Sequence, residues 1–372
     1  MEKFPHLLII MYRLVIATPL YPPEIGGPAT YAKLLAEGLL ERGIEVEVVK
    51  FSEVRHLPRL LRHYAFERRV RRALAGADAA LALDPVSVGL PTMRAAKKAR
   101  KPFIVKIVGD YAWEQGQQRF GVRQDLDEFV KTRQSSLQVR VLQSVQTRVA
   151  RAARRVLVPS QYLKGIVAAW GIPSEKIEVI YNAVPTGEFG AVPEAVASLP
   201  RPLVVTAGRF VSWKHIDGII DAVSRMPEVA LAIIGDGPER AELARHAREK
   251  LPGRAVLTGT LPHKDTLATM RSADVFVLNS SYEGLSHLLI EALEIGVPIV
   301  ATRAGGNTEV VEDESTGLLV QTGDTEDLAR ALARILADGA RRERSAARMR
   351  ESAKRFSTET MLAATATLLH TL

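Results

Sequence analysis

Short unbroken runs of apolar residues alternate along the chain with longer stretches of helical periodicity. In the first half the runs are Arg13–Pro19, Glu45–Phe51, Ala79–Leu83, Phe103–Val108, Arg155–Val158 and Lys176–Tyr181. In the second half they are Leu203–Ala207, Val229–Ile234, Ala255–Thr258, Val275–Asn279, Ile299–Thr302 and Gly317–Val320. Runs this short and this continuous are what strands covered on both faces look like. Helical stretches between them imply right-handed crossovers and parallel sheets. The pattern therefore predicts an α/β chain of two doubly wound, Rossmann-like domains facing each other across a cleft. The Ala- and Pro-rich segment 190–202 breaks the alternation and is expected to be the linker. The first domain is then 1–189 and the second starts at 203. No internal repeat or low-complexity tract is present.

Open parallel sheets bind ligands beyond the carboxyl ends of their strands, so polar and glycine-rich clusters directly after strands carry the most information. They are dense in the second half. Gly208-Arg209 and Lys214 follow the first strand there, and two cations so spaced across a loop suit one phosphate-bearing ligand. The bland alternative is a solvated loop. Gly235-Asp236-Gly237-Pro238 ends the next strand, where Gly235 lets the backbone approach a ligand or simply makes a tight turn. The densest cluster runs from Ser280 to Leu293. A helix is expected to begin near Ser286, so the amides of Gly284, Leu285 and Ser286 would form an anion site at its N-terminus. Glu283 precedes that helix, placed to meet a ligand or to cap. Glu291 sits within it among Leu289, Ile290, Ala292 and Leu293, where a carboxylate needs a partner unless it lies on an exposed face. Gly305-Gly306-Asn307-Thr308-Glu309 repeats the strand-end logic once more.

Composition narrows the classes. The chain has 372 residues, enough for two domains, and no cysteine, which excludes disulfides and thiolate metal sites. No apolar stretch approaches the roughly 18–20 residues of a membrane span. Residues 1–10 lack a small-residue cleavage site and read as an extension, or a start-site ambiguity before Met11, rather than a signal peptide. Charge is divided unevenly. Residues 1–190 carry 29 basic and 18 acidic side chains, residues 191–372 carry 21 and 24, and the formal net charge is +8. Solubility is the plain reading, but the basic stretches Arg55–Arg72 and Arg148–Arg155, with apolar residues interleaved in the first, also fit peripheral contact with an anionic membrane. No nucleic-acid module or aromatic stacking platform is present, and no nucleic acid is expected.

Glu283 and Glu291, with seven residues between them, resemble the paired-glutamate signature of family 4 glycosyltransferases of the GT-B fold. The resemblance extends through Tyr282-Glu283-Gly284-Leu285-Ser286, Gly296-Val297-Pro298, Gly305-Gly306, Thr316–Val320, Gly208-Arg209 with Lys214, Gly235–Pro238, Thr258-Gly259 and Tyr181–Val184. It is looser before residue 180, where Pro23-Glu24-Ile25-Gly26-Gly27 is similar to the family's glycine-rich first loop. The resemblance implies a retaining, metal-independent transfer of a hexosyl-type group from a UDP- or GDP-linked donor to an acceptor hydroxyl on a glycan, a lipid-linked compound or a small molecule, with neither metal nor cofactor. It implies that Arg209 and Lys214 grip the diphosphate, that Glu283 holds the transferred sugar, and that Glu291 bonds the ribose. Gly284, Leu285 and Ser286 would meet the distal phosphate or the sugar. Gly27 would let the first loop approach that phosphate, and Leu261 would border the base. It also implies a boundary near 355, with a helix over 356–372 crossing back to the first domain.

One position departs from the family. Where many relatives carry a histidine after the strand Phe103–Val108, this chain has Asp110, which would contact the sugar or the acceptor. No Asp-x-Asp pair stands at a strand end, since Asp125 and Asp127 fall in a polar, helical stretch. No metal site is expected, and protein cations would neutralise the leaving diphosphate. The rival readings are a GT-B-type nucleotide-sugar epimerase and a non-catalytic nucleotide or carbohydrate binder. A cytoplasmic location, at the inner membrane face if lipid is contacted, is the expectation.

Overall fold

The computed structural model describes residues 12–24, 26–132, 135–184 and 187–372. The N-terminal extension expected over residues 1–10, and Ile25 of the first loop, lie outside the described residues. The chain divides into two compact units, 1–183 with 358–372, and 184–357.

The first unit runs β1 (Tyr12–Thr18), α1 (Gly27–Gly38), β2 (Ile44–Lys50), α2 (Arg59–Ala73), β3 (Ala79–Ala82), α3 (Gly89–Ala99), β4 (Phe103–Lys106), α4 (Tyr111–Arg119), α5 (Leu126–Thr132), α6 (Leu137–Ala152), β5 (Arg155–Val158), α7 (Gln161–Ala169) and β6 (Ile177–Val179). The second runs α8 (Glu194–Ala197), β7 (Leu203–Ala207), α9 (Ile216–Ser224), β8 (Ala230–Ile234), α10 (Arg240–Lys250), β9 (Ala255–Gly259), α11 (His263–Ser272), β10 (Val275–Leu278), α12 (His287–Ile295), β11 (Ile299–Thr302), α13 (Asn307–Val310), β12 (Leu318–Val320), α14 (Thr325–Ala337) and α15 (Arg341–Ala353). A last helix, α16 (Thr358–His370), belongs to the first unit.

All twelve strands predicted from the apolar runs are present, each within a few residues of its expected bounds. They form two six-stranded parallel sheets, ordered β2-β1-β3-β4-β5-β6 and β12-β11-β10-β7-β8-β9. Central strands such as β3, β4, β7 and β10 are buried along their whole length, while β9, at an edge, is half-buried throughout. Helices close both faces. In the first unit Leu35 and Leu39 pack with Leu14, Ile16 and Ile104, and with Met361, Leu362 and Leu369 of α16. In the second, Ile219 and Val223 of α9 and Leu328 and Leu332 of α14 cover Val204, Leu231 and Val277.

Segment 190–202, expected as a linker, packs within the second unit: the Gly190 N–H donates to Lys264 O at 2.9 Å, and the Ala191 N–H donates to Asp265 at 3.0 Å. The chain thus changes units a few residues earlier, at 183/184.

Candidate functional site

A sheet ordered 9-8-7-10-11-12 reverses direction at its first strand, so the crevice of the second unit opens between the carboxyl ends of β7 and β10. These are the two strand ends that carry the densest polar clusters. After β7 the chain runs through Gly208 and Arg209 into a short turn, Ser212–Lys214, which ends at His215 with φ +44°. After β10 it runs from Asn279 to Ser286, and the Ser286 hydroxyl caps α12 by accepting from Leu289 N–H at 3.4 Å. The two loops are stitched together. Asn279 Nδ2 donates to His215 O at 3.0 Å, and Ser281 N–H donates to Trp213 O at 2.8 Å. The Lys214 ammonium forms an ion pair with Glu283 Oε1, which also accepts from Ser280 Oγ at 2.7 Å. Both partners of the pair are mostly withdrawn from water, 16% and 13% exposed, so screening is weak and both heads are held in place. Arg209 is exposed and forms no ion pair among the described residues, leaving its guanidinium fork available. Gly284 and Leu285 complete the turn into the N-terminus of α12, where the helix dipole favours an anion.

Glu291 is buried one turn and a half into α12, and its partner is a residue the sequence reading missed. His263 Nε2 lies 2.8 Å from Glu291 Oε1, and this hydrogen bond raises the imidazole above its ordinary value despite partial burial. The other carboxylate oxygen, Oε2, is buried with no hydrogen-bond partner among the described residues. His263 opens α11 just beyond Leu261, which is half-buried on the loop after β9. The sequence signal for it was slight: a Pro-His pair at a helix start, 28 residues from the carboxylate it serves.

The glycines divide into two kinds. Gly235, with φ +133°, has no room for a side chain, because a Cβ there would lie 1.9 Å from Gly208 O. Gly306 is similar, since a Cβ would lie 2.4 Å from Gly284 O, and its N–H donates to Glu283 O at 2.8 Å. These positions are glycine because neighbouring loops of the same unit press on them, and the closeness at Gly235 is to the chain itself. Gly27 differs: among the described residues a Cβ there would meet nothing within 4 Å.

The first unit, ordered 2-1-3-4-5-6, has its crevice between the carboxyl ends of β1 and β3. Gly27 opens α1 after β1. Asp84, which the sequence reading did not single out, follows β3. Its Oδ1 accepts the N–H groups of Val86, Ser87 and Val88, its Oδ2 is buried without a partner among the described residues, and burial pushes the carboxyl above the usual range. Asp110, expected to face sugar or acceptor, is instead taken up by its own unit. It is 1% exposed. Its Oδ1 accepts from Trp113 N–H and Gln146 Nε2, both at 3.0 Å, and its Oδ2 from Trp170 Nε1 at 3.1 Å. A side chain so engaged caps α4 and ties it to α6 and α7. Lys106, at the end of β4, is buried with no hydrogen-bond partner among the described residues, 4.1 Å from the centre of the Tyr31 ring. Burial alone lowers its ammonium to about 7.

The basic stretch 55–72 is partly spent on local structure. Arg55 pairs with Glu24 at 2.8 Å, and Arg69 with Glu53 at 2.6 Å. Arg68, Arg71 and Arg72 remain exposed on α2, with Leu61 and Tyr64, at 57% and 58% exposure, on the same side of the helix. Among the described residues no helix is long and apolar enough to cross a membrane.

Two family models match the chain in succession: Glycosyltransferase Family 4 over residues 25–188, and Glycosyl transferases group 1 over residues 193–356. Among curated proteins, the lipopolysaccharide core biosynthesis glycosyltransferase LpsE of Rhizobium meliloti is 38% identical over 180 residues, covering 48% of this chain and 52% of the relative. A GDP-mannose-dependent alpha-(1-6)-phosphatidylinositol monomannoside mannosyltransferase of Mycolicibacterium smegmatis is 33% identical over 210 residues, 51% of this chain and 55% of the relative. The matched segments thus span about half the length of these relatives. Among solved structures, Anabaena HepE in complex with UDP-glucose superposes with a TM-score of 0.76 at 20% identity, covering 97% of this chain and all of that one.

Proposed function

The chain belongs to the family 4 glycosyltransferases of GT-B fold, and from that premise we propose that it moves a sugar from a nucleotide-diphosphate donor, UDP- or GDP-linked, to an acceptor hydroxyl, with retention and without a metal ion. The observation that carries the reading is Glu291. One of its oxygens is held by His263 and the other is buried and unpaired. An unmet acceptor of that kind costs free energy until a donor group arrives, and a ribose hydroxyl supplies one.

In this reading the bond from the anomeric carbon to the diphosphate oxygen breaks as the acceptor oxygen bonds to the same carbon from the same face. The acceptor proton passes to the departing phosphate oxygen. Charge grows on the diphosphate, and Arg209, Lys214 and the N-terminus of α12 neutralise it. Glu283 holds sugar hydroxyls and, through its ion pair, keeps the Lys214 head in position before the donor arrives. Gly284, Leu285 and Ser286 meet the distal phosphate or the sugar, Leu261 borders the base, and the open space at Gly27 admits a phosphate. Asp84 Oδ2 takes an acceptor hydroxyl in the first unit. The acceptor is lipid-linked, with Leu61, Tyr64, Arg68, Arg71 and Arg72 on α2 resting on the anionic inner face of the cytoplasmic membrane.

The experiment is product analysis of protein mixed with UDP- and GDP-sugars and hydroxyl acceptors, in excess EDTA. A new glycoside with the donor's anomeric configuration is expected. Conversion of donor without acceptor means an epimerase, no turnover of any donor means a binder, and turnover restored only by magnesium or manganese overturns metal independence. Cosedimentation with anionic and neutral vesicles tests the lipid contact, which should weaken with salt and with replacement of Arg68, Arg71 and Arg72 by Ser.

A further inference from the structure

At the amino ends of β4, β5 and β6, the edge of the first sheet opposite Gly27 and Asp84, the surface sinks into a bowl of about 1080 Å³. Met93, Pro102, Phe103, Ala152 and Ala153 make up its apolar lining, and eight of the thirteen described residues that line it are Lys or Arg, with no acidic residue among those described. Two of these cations have carboxylate partners: Lys98 pairs with buried Glu67 at 2.5 Å, and Arg155 lies 3.9 Å from Glu178. Lys176 is turned to the carbonyl of Arg151, at 3.2 Å. Arg94, Lys97, Lys101, Arg148 and Arg154 form no ion pair among the described residues.

Cations near helix C-termini ordinarily answer the helix dipole, and Lys97 and Lys98 of α3 stand in its last turn. That accounts for neither Lys101 nor Arg154, which lie outside any helix, nor Arg148 of α6, more than one turn before its helix ends. A volume of this size is roughly 13 Å across, and the Debye length at physiological salt is about 8 Å, so the charges around it act on a common interior. A flat bilayer does not enter a bowl, and a single phosphate does not use five cations.

We propose that this bowl binds a ligand with several phosphoryl groups clustered on one small polyol or saccharide headgroup, at a site separate from the donor crevice. Guanidinium forks from Arg94, Arg148 and Arg154 would take phosphate oxygens in pairs, Lys97 and Lys101 would add point charges, and the apolar lining residues would meet the ring. Because the bowl lies at the amino edge of the sheet, the ligand is held without entering the reaction.

The test is calorimetric titration of the full chain with inositol hexakisphosphate at physiological salt, with inorganic phosphate as the single-phosphate probe. The variant Lys97→Ser/Arg148→Ser/Arg154→Ser removes three exposed cations. At about fivefold per cation, affinity should fall on the order of 100-fold. Arg245→Ser/Arg248→Ser/Lys250→Ser, an equal loss of charge on α10, should leave it unchanged, as should Lys214→Ala, which weakens the donor crevice. Thermal unfolding verifies that each variant is folded. Equal loss in the α10 variant reduces the effect to net charge, and loss confined to Lys214→Ala moves the ligand to the donor crevice. Unaltered binding in the bowl variant, or inorganic phosphate binding as tightly, overturns the proposal. So does bowl-dependent binding of phosphatidylglycerol vesicles, or of a single-stranded oligonucleotide, that inositol hexakisphosphate fails to displace.

Discussion

The two sheets have the same number of strands and the same parallel pairing, yet their polar groups are arranged in opposite ways. In the second unit the switch point falls between β7 and β10, and two short loops supply Arg209, Lys214, Glu283 and the start of α12. Backbone and side-chain bonds lock those loops to each other. In the first unit the polar groups at the carboxyl ends, Asp84 after β3 and Lys106 and Asp110 around the end of β4, are buried one by one. Asp110 is bonded to Trp113, Gln146 and Trp170, Asp84 is half satisfied, and Lys106 has no hydrogen-bond partner among the described residues. A crevice built from two stitched loops presents fixed charge to a ligand. One built from scattered buried groups is adjusted by burial itself, which moves the charge state of each.

The sharpest test of that difference is turnover. Arg209→Ala or Lys214→Ala should lower it on the order of 100-fold or more, the loss of about 2.7–4 kcal/mol expected when one preorganised donor is removed. Asp110→Asn, which keeps the oxygen that caps α4, should cost far less. If steady-state rates show the reverse order, the chemistry belongs to the first unit and the contrast fails.

Stability should respond to pH in opposite directions in the two units. Lys106 is lowered from 10.5 to about 7, so the unfolded chain binds more protons between those values and stability should rise with pH across that window. Lys106→Met should remove the rise and stabilise the protein near neutrality by on the order of a few kcal/mol. His263 is raised above 6.5. Its contribution is complete below 6.5 and is lost as pH climbs through the raised value. Because the ring is half exposed, His263→Phe should change this by no more than about 1 kcal/mol. Unfolding midpoints measured from pH 5.5 to 10.5 separate the two slopes.

Between those effects in size lies the contrast of two glycines. Gly235→Ala forces a Cβ against Gly208 O and a non-glycine into φ +133°, and overpacking of this kind costs about 1–3 kcal/mol. Gly27→Ala meets no atom and should leave the unfolding midpoint nearly unchanged, while raising KM for the donor. A stable Gly235→Ala protein would show that its loop yields.

The legibility of each unit follows from the same contrast. All twelve strands could be read because strands buried on both faces leave uninterrupted apolar runs. The second crevice could be read because its groups lie close together in sequence, Lys214 five residues from Arg209 and Glu291 eight from Glu283. His263 and Asp84 were invisible because their roles depend on which strand ends become neighbours, and no local pattern encodes that. The bonds that Asp110 makes within its own unit were invisible for a related reason. A polar residue after a strand looks available, and only the fold brings Gln146 and Trp170 to its carboxylate. The basic bowl is likewise assembled from α3, α6 and three strand starts, of which only Arg148–Arg155 reads as a charged stretch.

The return of α16 to the first unit gives the two units different histories on the ribosome. The second is one uninterrupted segment, 184–357, and can close as soon as it emerges. The first is begun much earlier, yet it waits until the second has been made. Until Thr358 and the residues after it arrive, Leu35, Leu39 and Ile16 lack the cover of Leu362 and Leu369, and Gly38 lacks the leucine that sits against it. The nascent first half therefore carries an uncovered apolar face throughout translation of 174 intervening residues. That interval is when chaperones would find it, and the second unit is finished first.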